Sequence, residues 1–132
     1  MGPAAGNEKT RIQQPSRSTQ GIPARYQASV VILQGYAEGM EFPIERTYAV
    51  IGRNRDAAIP IKDPLASREH AVIVFHEKAF ILKDLDSTNG THMRGTSIRQ
   101  RKLRHGDKFR VGDTVLQFIL QDSGRGRTYE IA

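Results

Sequence analysis

The chain contains no cysteine. That excludes a disulfide framework and any thiolate metal site, and it suits a reducing compartment. No apolar run approaches the roughly 20 residues that a membrane-spanning helix needs, so no membrane partner is expected. The opening MGPAAGNEKT lacks the apolar core of a signal peptide, and Gly6 stands where a myristoylation signal wants Ser or Thr. A soluble cytoplasmic protein is the expectation. The histidines His70, His76, His92 and His105 show no metal-ligand spacing, and there is neither a G-x-S-x-G elbow nor a phosphate-binding P-loop. No metal, cofactor or catalytic centre is expected. Sustained helical periodicity and internal repeats are absent too.

What is present is one domain's worth of chain, 132 residues with 38% hydrophobic content. The net charge is +6, and its location matters more than its size. Between positions 92 and 110 stand Arg94, Arg99, Arg101, Lys102, Arg104, Lys108 and Arg110 against a single acid, Asp107. Such a run attracts nucleic acid, acidic protein or phosphate. Phe109 is the only aromatic between Phe80 and Phe118, so the run offers no stacking platform for bases, and nucleic acid is not the expected partner.

Residues 1–27 read as a disordered tail. Pro3, Pro15 and Pro23 interrupt it, and only Ile12, Ile22 and Tyr26 offer large apolar surface, too little to offset the entropy cost of ordering. From Ala28 the texture changes to short β-branched runs at 30–33, 40–44, 48–51, 57–61, 71–75, 79–85 and 115–120. In the last, Leu116, Phe118 and Leu120 alternate with Gln117 and Gln121. Turn signals separate the runs: Gly35, Gly39, Asp63-Pro64, Asn89-Gly90, Gly95, Gly106-Asp107 and Gly112-Asp113. Many short strands argue an all-β sandwich or barrel over residues 28–122, with 123–132 as a C-terminal extension.

Three clusters carry chemistry. Gly52-Arg53 ends a strand-like run and delivers an arginine into a loop. Ser67-Arg68-Glu69-His70 stands directly before the run at 71–75. Ser67 and His70 with Asp84 or Asp86 could compose a hydrolytic triad, but a serine and histidine three apart at a strand start tend to diverge. Ser87-Thr88-Asn89-Gly90 follows the run at 79–85; Asn-Gly there reads as a hairpin turn, and its amide also suits a peptide main chain.

Taken together, Gly-Arg, Ser-x-x-His fourteen residues on, Ser-Thr-Asn-Gly about twenty further, then Leu103-x-x-Gly106-Asp107 and Val111-Gly112 resemble the forkhead-associated family, across roughly residues 29–120. The resemblance implies a two-sheet β-sandwich of about eleven short strands whose loops at one end bind phosphothreonine. It also implies that Arg53 pairs with the phosphate and Ser67 donates its hydroxyl to it, that Arg68 adds a phosphate contact, that Thr88 lines the pocket and that Asn89 holds the ligand backbone. Gly52, His70 and Gly90 would shape the loops. The partner would be a phosphothreonine protein downstream of a Ser/Thr kinase. The chain's own tail is a candidate ligand through Thr10 or Thr19, as in small bacterial members of the family. Alternatives are a phospho-independent scaffold of the same fold and a basic nucleic-acid binder. Two departures stand out: His92 and Arg94-Gly95 occur where the family often has an aromatic and a second Asn-Gly, and Leu65 lies where some members carry a basic residue that reads an acidic side chain.

Overall fold

A computed structural model describes residues 20–124. Eleven strands form two sheets: β1 (Tyr26–Gln34), β2 (Glu41–Ile44), β3 (Tyr48–Gly52), β4 (Ile59–Pro60), β5 (Ala71–His76), β6 (Ala79–Asp84), β7 (Thr91–Met93), β8 (Thr96–Ile98), β9 (Gln100–Lys102), β10 (Lys108–Val111) and β11 (Thr114–Asp122). One sheet runs β2-β1-β11-β10-β7-β8 and the other β4-β3-β5-β6-β9. Alternation decides which faces meet. Val30 and Ile32 of β1, Leu116 and Phe118 of β11, Ala49 and Ile51 of β3, and Phe80 and Leu82 of β6 are all buried in one core. Burying each such large side chain contributes about 1.5–3 kcal/mol. Three of the four edge strands resist further pairing: β2 carries Pro43, β4 carries Pro60, and β9 carries Arg101 and Lys102.

The expected all-β sandwich is the observed fold, and strands β1–β6 and β11 fall on the expected runs. Strands β7 to β10 are three or four residues each, and β9 has no apolar residue at all, so period-2 patterning could not reveal it. Asn89-Gly90 does not close a hairpin. It lies in the crossover from β6 in the five-stranded sheet to β7 in the six-stranded one. Arg94-Gly95, with φ of 53° and 78°, joins paired Met93 and Thr96 and is the two-residue turn instead.

The stretch read as tail up to residue 27 is structured from residue 20 onward. The Gln20 carbonyl accepts from Thr47 N–H, Ile22 N–H donates to Glu45, and Gly21 bridges to Arg46. Two of the tail's three large apolar groups do pack. Ile22 lies against the core, and the Tyr26 ring sits 5.2 Å from Phe75 and 6.0 Å from Phe80. Arg25 adds a two-pronged pair with Asp122, both bonds 2.9 Å. Residues 1–19 and 125–132, including Thr10 and Thr19, lie outside the described residues.

Candidate functional site

Strands β3, β5 and β6 are neighbours, so the segments 53–58, 61–70 and 85–90 that leave or enter them emerge at one end of the sandwich. Arg53 is delivered there by β3. Its N–H donates to the Ser67 carbonyl (2.9 Å), and Asn54 N–H donates to the Arg68 carbonyl (3.1 Å). The approach is so close that a Cβ on Gly52 would lie 2.1 Å from the Arg68 oxygen, which only glycine avoids. Arg53 Nε donates to the Ala66 carbonyl (3.0 Å), which fixes the exposed guanidinium on this loop and leaves its terminal nitrogens without a partner among the described residues.

Ser67 Oγ accepts the Thr88 N–H (3.0 Å), so its own hydrogen stays free to donate. His70, fully buried, receives the Ser67 N–H at Nδ1 (3.0 Å); its proton therefore sits on Nε2, which donates to the Gly90 carbonyl (2.9 Å). Both ring nitrogens are thus consumed in tying two loops together. The triad once conceivable for Ser67 and His70 is not formed, because the hydroxyl is bonded to Thr88 and the ring to main chain. Asn89 Nδ2 donates to the Leu65 carbonyl (2.9 Å), a third tie between the same loops. Arg68 is exposed on the 61–70 loop. Arg53, Ser67, Thr88 and Asn89 are therefore brought together; Gly52, His70 and Gly90 sit behind them, with Gly90 at a φ of 85°.

Two carboxylates supporting these loops were not recognised in the sequence. Asp84 accepts from Ser87 Oγ (2.6 Å), Ser87 N–H (3.0 Å) and Thr91 Oγ1 (2.7 Å), while Ser87 Oγ also accepts the Gly90 N–H. Burial pushes the Asp84 carboxyl up, but these hydrogen bonds together outweigh it and hold the group below its ordinary range. Asp63, buried, accepts from the N–H groups of Leu65 and Asp113 and from Thr114 Oγ1 (2.9 Å). Burial again acts upward and is outweighed, here by the two backbone donors and the hydroxyl. A Cβ on Gly112 would come within 2.7 Å of this carboxylate. In the sequence Asp84 stands out only as a possible triad acid. The Ser87 three residues after it was the available signal, since Asp-x-x-Ser is the spacing of a local carboxylate-capped turn.

A cavity of about 530 Å³ lies elsewhere, against β1 and β2, lined by Ile22, Tyr26, Ser29 and Glu41 among others. No cluster of potential metal ligands occurs among the described residues.

Residues 49–112 match the sequence profile of the FHA domain. The chain is 33% identical over 103 residues to the transcriptional regulatory protein EmbR of Mycobacterium tuberculosis, which is 77% of this chain and 26% of EmbR. It is 30% identical over 99 residues to human proliferation marker protein Ki-67, 74% of this chain and 3% of that protein. The fold superposes on EmbR in complex with a low-affinity phosphopeptide at a TM-score of 0.66, with 28% identity, 89% of this chain and 30% of EmbR covered. A structure solved in a study of phosphothreonine-dependent FHA domain interactions gives 0.65, with 27% identity, 70% of this chain and 95% of that one. This chain belongs to the forkhead-associated family. It spans about 3% of the length of Ki-67 and about a quarter of EmbR.

Proposed function

We propose that this domain is a phosphothreonine-dependent protein-binding module that acts downstream of a Ser/Thr protein kinase, and that it is not an enzyme. The observation that carries the reading is the pair Arg53 and Ser67. Arg53 N–H is bonded to the Ser67 carbonyl, and each residue keeps donors free on one rigid loop surface. A phosphothreonine brings about −1.5 to −2 charge and three acceptor oxygens. The planar guanidinium of Arg53 takes the phosphate, the Ser67 hydroxyl donates to it and Arg68 adds charge. Thr88 lines the pocket, and Asn89, with its Oδ1 and second amide hydrogen still open, holds the ligand main chain. Titration with matched phosphothreonine, phosphoserine and unphosphorylated peptides tests this. Equal affinity for the phosphorylated and unphosphorylated peptides would sink it.

The same reading includes the chain's own tail as a ligand, and the reach of the chain favours one of the two candidate threonines. The anchor formed by residues 20–22 lies at the β2–β3 connection, whereas Arg53 lies at the other end of β3. Six residues of strand separate Thr47 from Arg53, about 20 Å at roughly 3.3 Å per residue. Thr19, one residue from the anchor, cannot cover that distance while the anchor holds. Thr10, ten residues away, can span up to about 34 Å. Thr10 is therefore the residue proposed to close on the site when phosphorylated, at the high effective concentration a tether confers.

A further inference from the structure

The basic run between 92 and 110 is divided by the fold. Arg101 and Lys102 go to β9 at the edge of the five-stranded sheet. Lys108 and Arg110 alternate with buried Phe109 and Val111, so they stand on the outer face of the six-stranded sheet. There Arg110 pairs in register with His92 of β7, and Arg94 follows in the β7–β8 turn. His92, Arg94, Lys108 and Arg110 line a groove of about 180 Å³, and Arg94 and Lys108 also line an adjoining cavity of about 320 Å³.

The groove is unusual in its charge. No acid is among its lining residues, and none of its three Lys and Arg side chains has a carboxylate partner among the described residues. Arg110 is held by donating Nη1 to the Gly112 carbonyl (2.8 Å), which aims it without neutralising it. Asp107, the one acid beside these cations, lines the adjoining cavity and accepts the Arg104 N–H at Oδ2 (2.8 Å). His92 Nδ1 is buried with no hydrogen-bond partner, a costly arrangement that the fold itself does not explain. The groove starts beside the phosphothreonine loops, since a Cβ on Gly90 would lie 3.2 Å from His92 Cε1.

We propose that this groove is a second anion site, which takes an acidic or phosphorylated side chain from the same partner segment that the loops hold by its phosphothreonine. The inference rests on the phosphothreonine reading of the loops. Residue spacing sets the register: from the 89–90 loop to the level of Lys108 is about five strand residues, roughly 16 Å, so an extended ligand presents its anion about four to six residues from the phosphothreonine. A nucleic acid fits less well. The groove holds one anionic group, and Phe109, the one Phe, Tyr or Trp that lines it, is buried, so it lacks the aromatic platform that single-strand binders use.

The test uses the full chain and phosphothreonine peptides carrying two Glu, or one phosphoserine, four to six residues to either side, against the same peptide with neutral flanks. One of the extended peptides binds about three- to tenfold tighter than the neutral one, the gain of a few partly exposed ion pairs. R94N/K108Q removes that gain and leaves the neutral peptide's affinity unchanged; Asn tolerates the positive φ of position 94. R101Q/K102Q, with the same loss of charge, keeps the gain. The Glu and phosphoserine arms tell a carboxylate from a phosphate. The proposal is overturned if no extended peptide gains affinity, if the gain survives R94N/K108Q, or if R101Q/K102Q abolishes it equally, which means general attraction. It is also overturned if single-stranded DNA shifts the amide resonances of His92, Arg94 and Lys108 more than the acidic peptides do. Failure of the neutral phosphothreonine peptide to bind wild type refutes the loop reading instead. The groove is then judged on those same resonances with an unphosphorylated Glu-flanked peptide: shifts retain the anion site, and none remove it.

Discussion

Arg53 and Ser67 share a backbone hydrogen bond yet face different demands from a phosphate. Arg53→Ala removes one side of a charge-assisted pair, which costs on the order of 2–5 kcal/mol and takes phosphopeptide binding below ready detection by calorimetry. The fold should persist, since the side chain is exposed and only its Nε meets the protein, at the Ala66 carbonyl. Ser67→Ala loses one hydrogen bond to a charged group, about 1.5–3 kcal/mol, and also the acceptor for Thr88 N–H. Unchanged affinity in a folded R53A protein would take Arg53 out of the site. Asn89→Ala weakens binding through lost main-chain contacts and through the lost tie to Leu65. Its deficit therefore persists in high salt, where Debye screening blunts charge effects. If the deficit disappears as salt is raised, Asn89 acts electrostatically and the assigned role is wrong.

Among the elements, β3 and the loop before β5 depend on one glycine. Gly52→Ala drives a methyl into the Arg68 carbonyl, main chain against main chain, with no flexible side chain to yield. Overpacking of this kind costs about 1–3 kcal/mol, and here it also displaces Arg53 and Ser67 together. Chemical denaturation and a phosphopeptide titration should both register the change. A G52A protein with native stability and native affinity would contradict the close approach. The crossover 85–90 depends likewise on Asp84, which receives bonds from Ser87 within the segment and from Thr91 at the start of β7.

For the whole molecule, acid and the tail give the two tests. Asp63 and Asp84 are both held below the ordinary carboxylate range in the folded state. As pH falls, the unfolded chain takes up those protons first. The stability these groups contribute is complete above the unfolded-chain value, near ~4, and is lost as pH drops through the lower folded-state values. Denaturant midpoints should therefore fall below about pH 4, and less steeply in D84N, whose starting stability is lower. An equally steep fall in D84N and wild type would assign the acid sensitivity to other groups. In the full phosphorylated chain, Thr10→Ala should abolish phosphorylation-dependent shifts of the Arg53, Ser67 and Asn89 amides, while Thr19→Ala leaves them. The reverse result would mean that the pairing of residues 20–22 opens or that the ligand comes from another molecule.

Patterns local to a few residues were legible in the chain itself. Alternation in β11, β-branched runs and the ordered spacing of Gly52-Arg53, Ser67-x-x-His70 and Thr88-Asn89-Gly90 determined the all-β class and the family, because strand period and turn chemistry act between near neighbours. Long-range pairing was not legible. Strand β9 exists because β6 offers it a partner, Ile22 and Tyr26 are ordered because Phe75, Phe80 and the 45–47 segment receive them, and Asn89-Gly90 crosses between sheets instead of turning within one. The charge run shows the same division: composition determined its sign, and only the alternation of β10 against its neighbours decided which cations share a groove. Asp63 became a support rather than a solvated acid for the same reason. Its donors at Asp113 and Thr114 come from the far end of the chain, and proximity of that kind is created by folding alone, whereas Asp84 draws on its near neighbours Ser87 and Thr91.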